Sequence, residues 1–424
     1  MQVTGEEVQR SVGALQLCAG QPTGVEAAIH SMRQFLSNDD NDGILLIDAD
    51  NAFNRINRAV ALWNVQFICP AVKFVLINVY RAPTRIFMLD GDSSTFELLS
   101  QEGTTQGCPL AMAMYALALV PLVRELHPLC RQVWYADDAT GCDNFVRMRA
   151  WFDALQNKGP KYGYFPKPSK CILVTKPERV EKGQMIFRGT GINLQVDGTK
   201  DTGVEINTTG TRHLGAAVGT SDFKAEFVNK KIDGWISALK SLSTVAATQP
   251  HAAFAAFTQA MQGQWTFLAR AMPEVSHLFQ RLEEVIRMSF LPALLRRHVN
   301  DLEREVFSLP ARMGGLGICK PEASCIDAHE NSKRLSAPLV KLIMRQELDL
   351  DPSEIASDVQ LLRRQIDEDT EKLQKLKLEA LLARVPLELQ AQLRRVPPWA
   401  VLHEADFVDA IYAMRLDFTR PSQM

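Results

Sequence analysis

The stretch that decides the fold is Gln132-Val133-Trp134-Tyr135-Ala136-Asp137-Asp138, a short apolar run ending in two adjacent aspartates. Far upstream, Gly43-Ile44-Leu45-Leu46-Ile47-Asp48-Ala49-Asp50 repeats the arrangement, with a continuous apolar run of strand length opening onto a carboxylate. Clustered aspartates at the tips of apolar strands are costly to fold, because like charges in one poorly hydrated place repel and lose solvation. The pattern therefore predicts a cation between the two segments. Two divalent ions bridged by carboxylates suit it, and hard cations on oxygen ligands suit phosphate chemistry.

Working outward, Thr23–Ser37 places Val25, Ile29, Met32 and Leu36 at helical spacing behind a Thr23 cap. Thr84–Asp90 and Thr95–Ser100 predict a hairpin around Gly91-Asp92-Ser93. Gln106-Gly107-Cys108-Pro109-Leu110 opens an apolar helix to about Leu126, with Pro109 in its first turn. A helix follows over Asn144–Gln156. Short strands are then predicted at Cys171–Thr175, Met185–Phe187, Ile192–Val196 and Arg212–Val218. From Phe223 the pattern is helical except for Ser308–Lys320, and Asp349-Leu350-Asp351-Pro352-Ser353 marks a boundary before a charged helix over 354–382. That helix reads as a solvated or coiled-coil arm and as the place for a helical partner.

Composition sets outer bounds. The 424 residues are 46% hydrophobic with a net charge of -2, so any nucleic-acid binding rests on local patches and not on a global basic field. The eight cysteines show no pairing at zinc spacing, which predicts reduced thiols and an intracellular protein. A polar, acidic N-terminus and the lack of any long apolar run predict neither a signal peptide nor a membrane partner.

Five motifs in order over roughly residues 12–220 resemble those of reverse transcriptases. Asp48-Ala49-Asp50-Asn51-Ala52-Phe53-Asn54 is similar to the first catalytic motif, Gln106-Gly107-Cys108-Pro109-Leu110 to the Gln-Gly-x-Pro-Leu motif, and Tyr135-Ala136-Asp137-Asp138 to the catalytic aspartate pair. Gly163-Tyr164-Phe165-Pro166 with Pro168-Ser169-Lys170 resembles the next block, and His213-Leu214-Gly215 the primer-grip hairpin. The wording is most similar to the non-long-terminal-repeat retroelement type.

The resemblance implies an α+β polymerase palm, a small antiparallel sheet packed on helices, over 1–220 with partial fingers. A helical thumb-like domain over 221–348 and a charged helical extension over 349–424 follow. It implies RNA-directed DNA synthesis from deoxynucleoside triphosphates on an RNA or DNA template with a primer. Asp48, Asp137 and Asp138 would hold Mg2+ or Mn2+, Lys170 would neutralise or protonate the departing pyrophosphate, Phe53 would exclude a 2'-hydroxyl, and Gln106 and Gly107 would border the nascent base pair.

Plain structural readings stand beside these: a capped turn for the aspartates, a core ring for Phe53, a turn glycine for Gly107 and a solvated charge for Lys170. Lys224, Lys230, Lys231, Lys240, Arg281, Arg287, Arg296 and Arg297 are offered either to phosphates or to a mixed solvated face. Asn54 and Ala111 depart from the family pattern, and the short stretch before Asp48 predicts that the front fingers are absent. The alternative outcome is a catalytically weak or inactive remnant that keeps the fold as a scaffold.

Overall fold

The computed structural model describes residues 5–384 and Gln390, apart from 90, 92–93, 191–193, 197–198 and 202–204. Its elements form an α+β mix. The ordered contacts gather into two compact units, Met1–Phe223 with Ser332–Leu361, and Lys224–Asn331 with Leu362–Met424.

In the first unit the helices are α1 (Gly5–Val12), α2 (Gly24–Ser37), α3 (Ala52–Arg55), α4 (Arg58–Ile68), α5 (Lys73–Tyr80), α6 (Ala111–Leu126), α7 (Phe145–Tyr162) and α8 (Val180–Phe187). The strands are β1 (Gly43–Ile47), β2 (Thr84–Leu89), β3 (Thr95–Ser100), β4 (Arg131–Tyr135), β5 (Asp138–Asp143), β6 (Ile172–Thr175), β7 (Leu194–Val196), β8 (Thr199–Asp201), β9 (Glu205–Asn207), β10 (Gly210–His213) and β11 (Ala216–Gly219).

A five-stranded sheet runs in the order β4-β5-β1-β6-β9, antiparallel throughout except for the parallel pair β6 and β9. β1 reads as an unbroken apolar run because both its faces are covered. Leu45 and Ile47 join one core with α6 and α7, whereas Ile44 and Leu46 join another with α2 and the helix Pro321–Arg345.

β4 lies at the sheet edge, where unpaired backbone groups invite non-native pairing. They are satisfied by other parts of the same unit. The Gln346 side chain accepts from Gln132 N at 2.7 Å and donates to Gln132 O at 3.0 Å. Leu17 N donates to Trp134 O at 2.9 Å, and Trp134 N to Leu15 O at 2.7 Å. Beneath them, the buried Gln132 Oε1 accepts from both indole nitrogens of Trp134 and Trp151, at 3.0 and 2.9 Å.

Several local expectations are corrected. Met185–Phe187 is the end of α8 and not a strand: Gly183 and Phe187 turn to one buried face, and three apolar residues are too few to separate the two periods. Thr23 precedes α2 in a left-handed conformation (φ 58°), so its hydroxyl donates to Pro22 O at 2.6 Å and caps nothing. Pro109 sits in the turn before α6, which starts at Ala111. α7 continues past Gln156 to Tyr162 and ends on Gly163, with Asn144 accepting from Arg147 N as its cap.

The expected hairpin β2–β3 forms, with Thr84 opposite Ser100, while positions 90, 92 and 93 of its turn lie outside the described residues. So do 192 and 193 of the expected strand Ile192–Val196, and the extension beyond 384 save Gln390.

The second unit is helical, with α9 (Ser221–Ala246) leading into it. Several basic residues offered to phosphates are held instead by acids. Arg281 pairs with Asp233 at 2.7 Å, Arg297 with Glu303 at 2.6 Å, and Arg287 with Asp301. The helix Pro352–Leu382 covers the predicted charged arm. All eight cysteines are free thiols, and among the described residues no helix is long and apolar enough to cross a membrane.

Candidate active site

β4 and β5 pair down to Tyr135 opposite Asp138, so Ala136-Asp137 is a two-residue hairpin turn. Ala136 takes φ 55°, a region that alanine adopts at a cost. Gln16, fully buried, holds it there: its amide donates to Ala136 O at 3.0 Å and accepts from Ala136 N at 2.9 Å. Tyr164 Oη donates to Asp137 O at 2.8 Å from the other side.

The β1–β5 register then sets the second carboxylate. Ile47 pairs with Ala139, so the next residue of the chain, Asp48, leaves β1 level with Asp138. Burial, and then the charge of Asp48, raises the Asp137 carboxyl above its usual range. Asp138 keeps an exposed edge, yet desolvation followed by the charges of Asp137 and Asp48 lifts it to about 6.

Asp48-Ala49-Asp50 is fixed by the next motif. Asp50 N donates to Phe165 O and Lys167 N to Asp48 O, both at 2.8 Å, around a bridge between Ala49 and Pro166. Gly163 (φ 81°) lets the start of this motif pack on the junction between α3 and α4, since a Cβ there would lie 2.1 Å from Arg55 O. The same motif brings Lys170 Nζ to 3.6 Å from Asp48 Oδ1. Asp50 points away into an ion pair with Arg55 at 2.6 Å, and that hydrogen bond holds its carboxyl below the usual range. It anchors the strand end.

Phe53 lies half-buried on α3 and stacks on Tyr115 of α6, with ring centroids 4.3 Å apart. Tyr115 is fully buried, and its hydroxyl has no hydrogen-bond partner. Gln106 and Gly107 are exposed; Gly107 takes φ 84° with open space where a Cβ would stand. The loop ahead of them is organised by Arg58, which is 4% exposed and donates to Gly103 O, Ser100 O and Glu102 O at 3.0, 2.9 and 2.9 Å. Gly103 N donates to Ile56 O at 2.9 Å and Thr104 N to Phe53 O at 2.7 Å, so the loop is built against the helix bearing Phe53.

The hairpin β10–β11 turns at Leu214-Gly215, with φ 46° and 83°, the signs of a type I' turn. His213 is buried beneath it, and desolvation depresses its imidazole to about 4.

Asp48, Asp137, Asp138 and Lys170 are thus brought together, with Phe53 over the neighbouring aromatic layer. Among the described residues, no three His, Cys, Asp or Glu side chains stand close enough to hold a metal ion by themselves. Two thiols lie near, Cys18 beside Ala136 and Cys171 beside Asp48, and burial pushes each up to about 12. Both are therefore protonated at neutral pH.

Sequence reasoning missed Gln16, Arg58 and Tyr115. Gln16 left one signal, a lone amide inside the apolar run Ala14-Leu15-Gln16-Leu17-Cys18. The other two left none, because their roles depend on partners distant in the chain.

No protein-family model and no curated protein sequence matches the chain. Among solved structures, telomerase from Candida albicans in complex with a TWJ fragment of telomeric RNA is similar over 80% of this chain and 54% of that one, at 11% identity and a TM-score of 0.37. The chain therefore spans about half the length of that structure, and a likeness at this level fixes neither fold nor chemistry.

Proposed function

We propose that this chain is a reverse transcriptase-type nucleotidyltransferase, in which residues 1–220 act as palm with partial fingers and 221–348 as a thumb-like region. The reading is carried by one observation: the β1–β5 register sets Asp48 level with Asp138 beside the Ala136-Asp137 turn, where burial and then neighbouring carboxylate charge raise the Asp137 and Asp138 carboxyls. An all-oxygen donor set with its neighbouring thiols protonated fits Mg2+ or Mn2+. Asp48 and Asp137 would hold the ions, with Asp138 beside them and substrate oxygens and water completing the ligand shell. When bound, such ions activate a primer 3'-hydroxyl and screen the leaving pyrophosphate.

The protein's own groups do the rest. Gln16 and Tyr164 fix the turn so that the aspartates need not reorganise during the reaction. Phe53, backed by Tyr115, forms a plate beneath the incoming sugar that a 2'-hydroxyl would strike, which selects deoxynucleoside triphosphates. Gly107 allows the backbone to approach a base pair formed on an RNA or DNA template, with Gln106 beside it. Lys170 neutralises charge next to Asp48 and can give a proton to the departing pyrophosphate.

A second reading, a remnant that binds nucleic acid without polymerising, is favoured by the lack of a self-sufficient metal cluster among the described residues. Primer extension on poly(rA) with oligo(dT), in Mg2+ and in Mn2+, separates the two. Extension that is abolished in Asp137→Asn supports the enzyme. Binding of the primer–template without extension in either metal supports the scaffold.

A further inference from the structure

We propose that the exposed face of α4 and α5 is the contact between two copies of this chain. Every exposed position on these two helices except Asn78 is apolar: Ala59, Trp63 and Phe67 on α4, and Phe74, Val75 and Val79 on α5. A solvent-facing helix normally carries its charges on that side. Here Trp63, Phe67 and Phe74 stand 63%, 70% and 69% exposed.

Such rings present roughly 150–250 Å2 each when bare, so at these exposures the three offer on the order of 400 Å2. A stable interface takes about 800 Å2 from each partner. The rings thus supply about half of one partner's share, and Ala59, Val75 and Val79, with Val60 in the adjoining hollow, extend the same apolar surface.

That hollow, about 480 Å3, lies between α4 and the end of α7 and is lined by Ala59, Val60, Trp63, Asn64, Lys161 and Tyr162. Ridge and hollow share Ala59 and Trp63, so one face carries both a knob and a hole. This is the self-complementarity that a two-fold contact requires, and two helical hairpins joined through it form a four-helix packing.

Charge points the same way. No Asp or Glu occurs from Asn51 to Leu89, and the ridge positions carry no Lys or Arg either. The Lys73 amine sits over the Phe74 ring, 4.9 Å from its centroid, and Arg81 follows the end of α5. The exposed ridge side chains are themselves uncharged, so a second copy can cover them without burying a charge that belongs to the ridge.

Sedimentation velocity on the full chain tests this, together with Trp63→Glu and Phe67→Glu. The expected result is a dimer that each substitution weakens roughly tenfold or more, while the circular dichroism spectrum stays unchanged. Met185→Glu, at a 76% exposed apolar residue of α8, should leave the dimer intact. A chain that is monomeric up to its solubility limit, or a dimer indifferent to both ridge substitutions, would overturn the proposal. So would a monomer whose binding to a poly(rA) oligonucleotide or to phosphatidylserine vesicles is lost in Phe67→Glu, since that outcome assigns the face to nucleic acid or membrane.

Discussion

Gln16 and Ala136 stand 120 residues apart in the chain and exchange two hydrogen bonds, at 3.0 and 2.9 Å, through a buried side-chain amide that mimics a neighbouring strand. The turn that carries Asp137 is thereby held in a left-handed conformation that alanine disfavours.

Replacing Gln16 by Leu keeps the apolar contacts but leaves the Ala136 N–H and C=O buried without partners. Each orphaned group costs about 1–3 kcal/mol, so Gln16→Leu is expected to lose about 2–6 kcal/mol in urea unfolding. Ala136→Gly, which removes the steric objection to positive φ, should stay within about 1 kcal/mol of the parent. A Gln16→Leu variant as stable as the parent would show that the amide is dispensable.

The carboxylate cluster predicts a pH signature. Folding raises Asp138 from 3.8 to about 6, so the folded state binds more protons within that window and stability falls as pH rises through it. Because the Asp138 side chain is exposed and screened, Asp138→Asn should stabilise the protein at pH 7 by only about 1 kcal/mol, and by nothing at pH 3.5. Thermal melts at the two pH values decide it.

Metal should reverse the same penalty. Mg2+ or Mn2+ at a hundred times its dissociation constant would stabilise the folded chain by about 2.7 kcal/mol at neutral pH. The effect should be lost in Asp137→Asn and should weaken below the carboxyl titration near 6. Equal stabilisation of parent and variant, read by differential scanning calorimetry, would place the metal elsewhere.

His213 has the opposite sign. Its imidazole falls from 6.5 to about 4 on burial, so the unfolded state binds more protons between those values and stability is lost as pH drops through them. His213→Phe should flatten the acid limb and be relatively more stable than the parent by roughly 3 kcal/mol near pH 4. Parallel urea curves for the two proteins from pH 7 to 4 would contradict this.

The stack of Phe53 on Tyr115 predicts a separable effect on sugar choice. If extension is observed, Phe53→Ala should admit ribonucleotides, while Phe53→Tyr should largely retain exclusion. Tyr115→Ala, which removes the ring under Phe53, should relax exclusion and also cost about 3–5 kcal/mol of stability as a core truncation. Unchanged ribonucleotide exclusion in folded Phe53→Ala would make that ring a packing residue.

The sequence by itself determined the elements whose signal is local. β1 was legible as an apolar run ending at Asp48, β2–β3 as a hairpin and the aspartate pair as a strand tip, because period, turn residues and run length act within a few residues, whereas the strand read over Arg212–Val218 is in fact the two strands β10 and β11 turning at Leu214-Gly215. Where a segment offered only three apolar residues, at Met185–Phe187, the local signal was ambiguous and its environment in α8 decided it. Only the tertiary structure set Asp48 level with Asp138, closed the β4 edge with Gln346 and the Leu15–Leu17 segment, and put Tyr115 under Phe53. Register and side-chain partnership across a hundred or more residues are chosen by which apolar faces become buried together and which backbone groups must then be paired, and no local pattern encodes that choice.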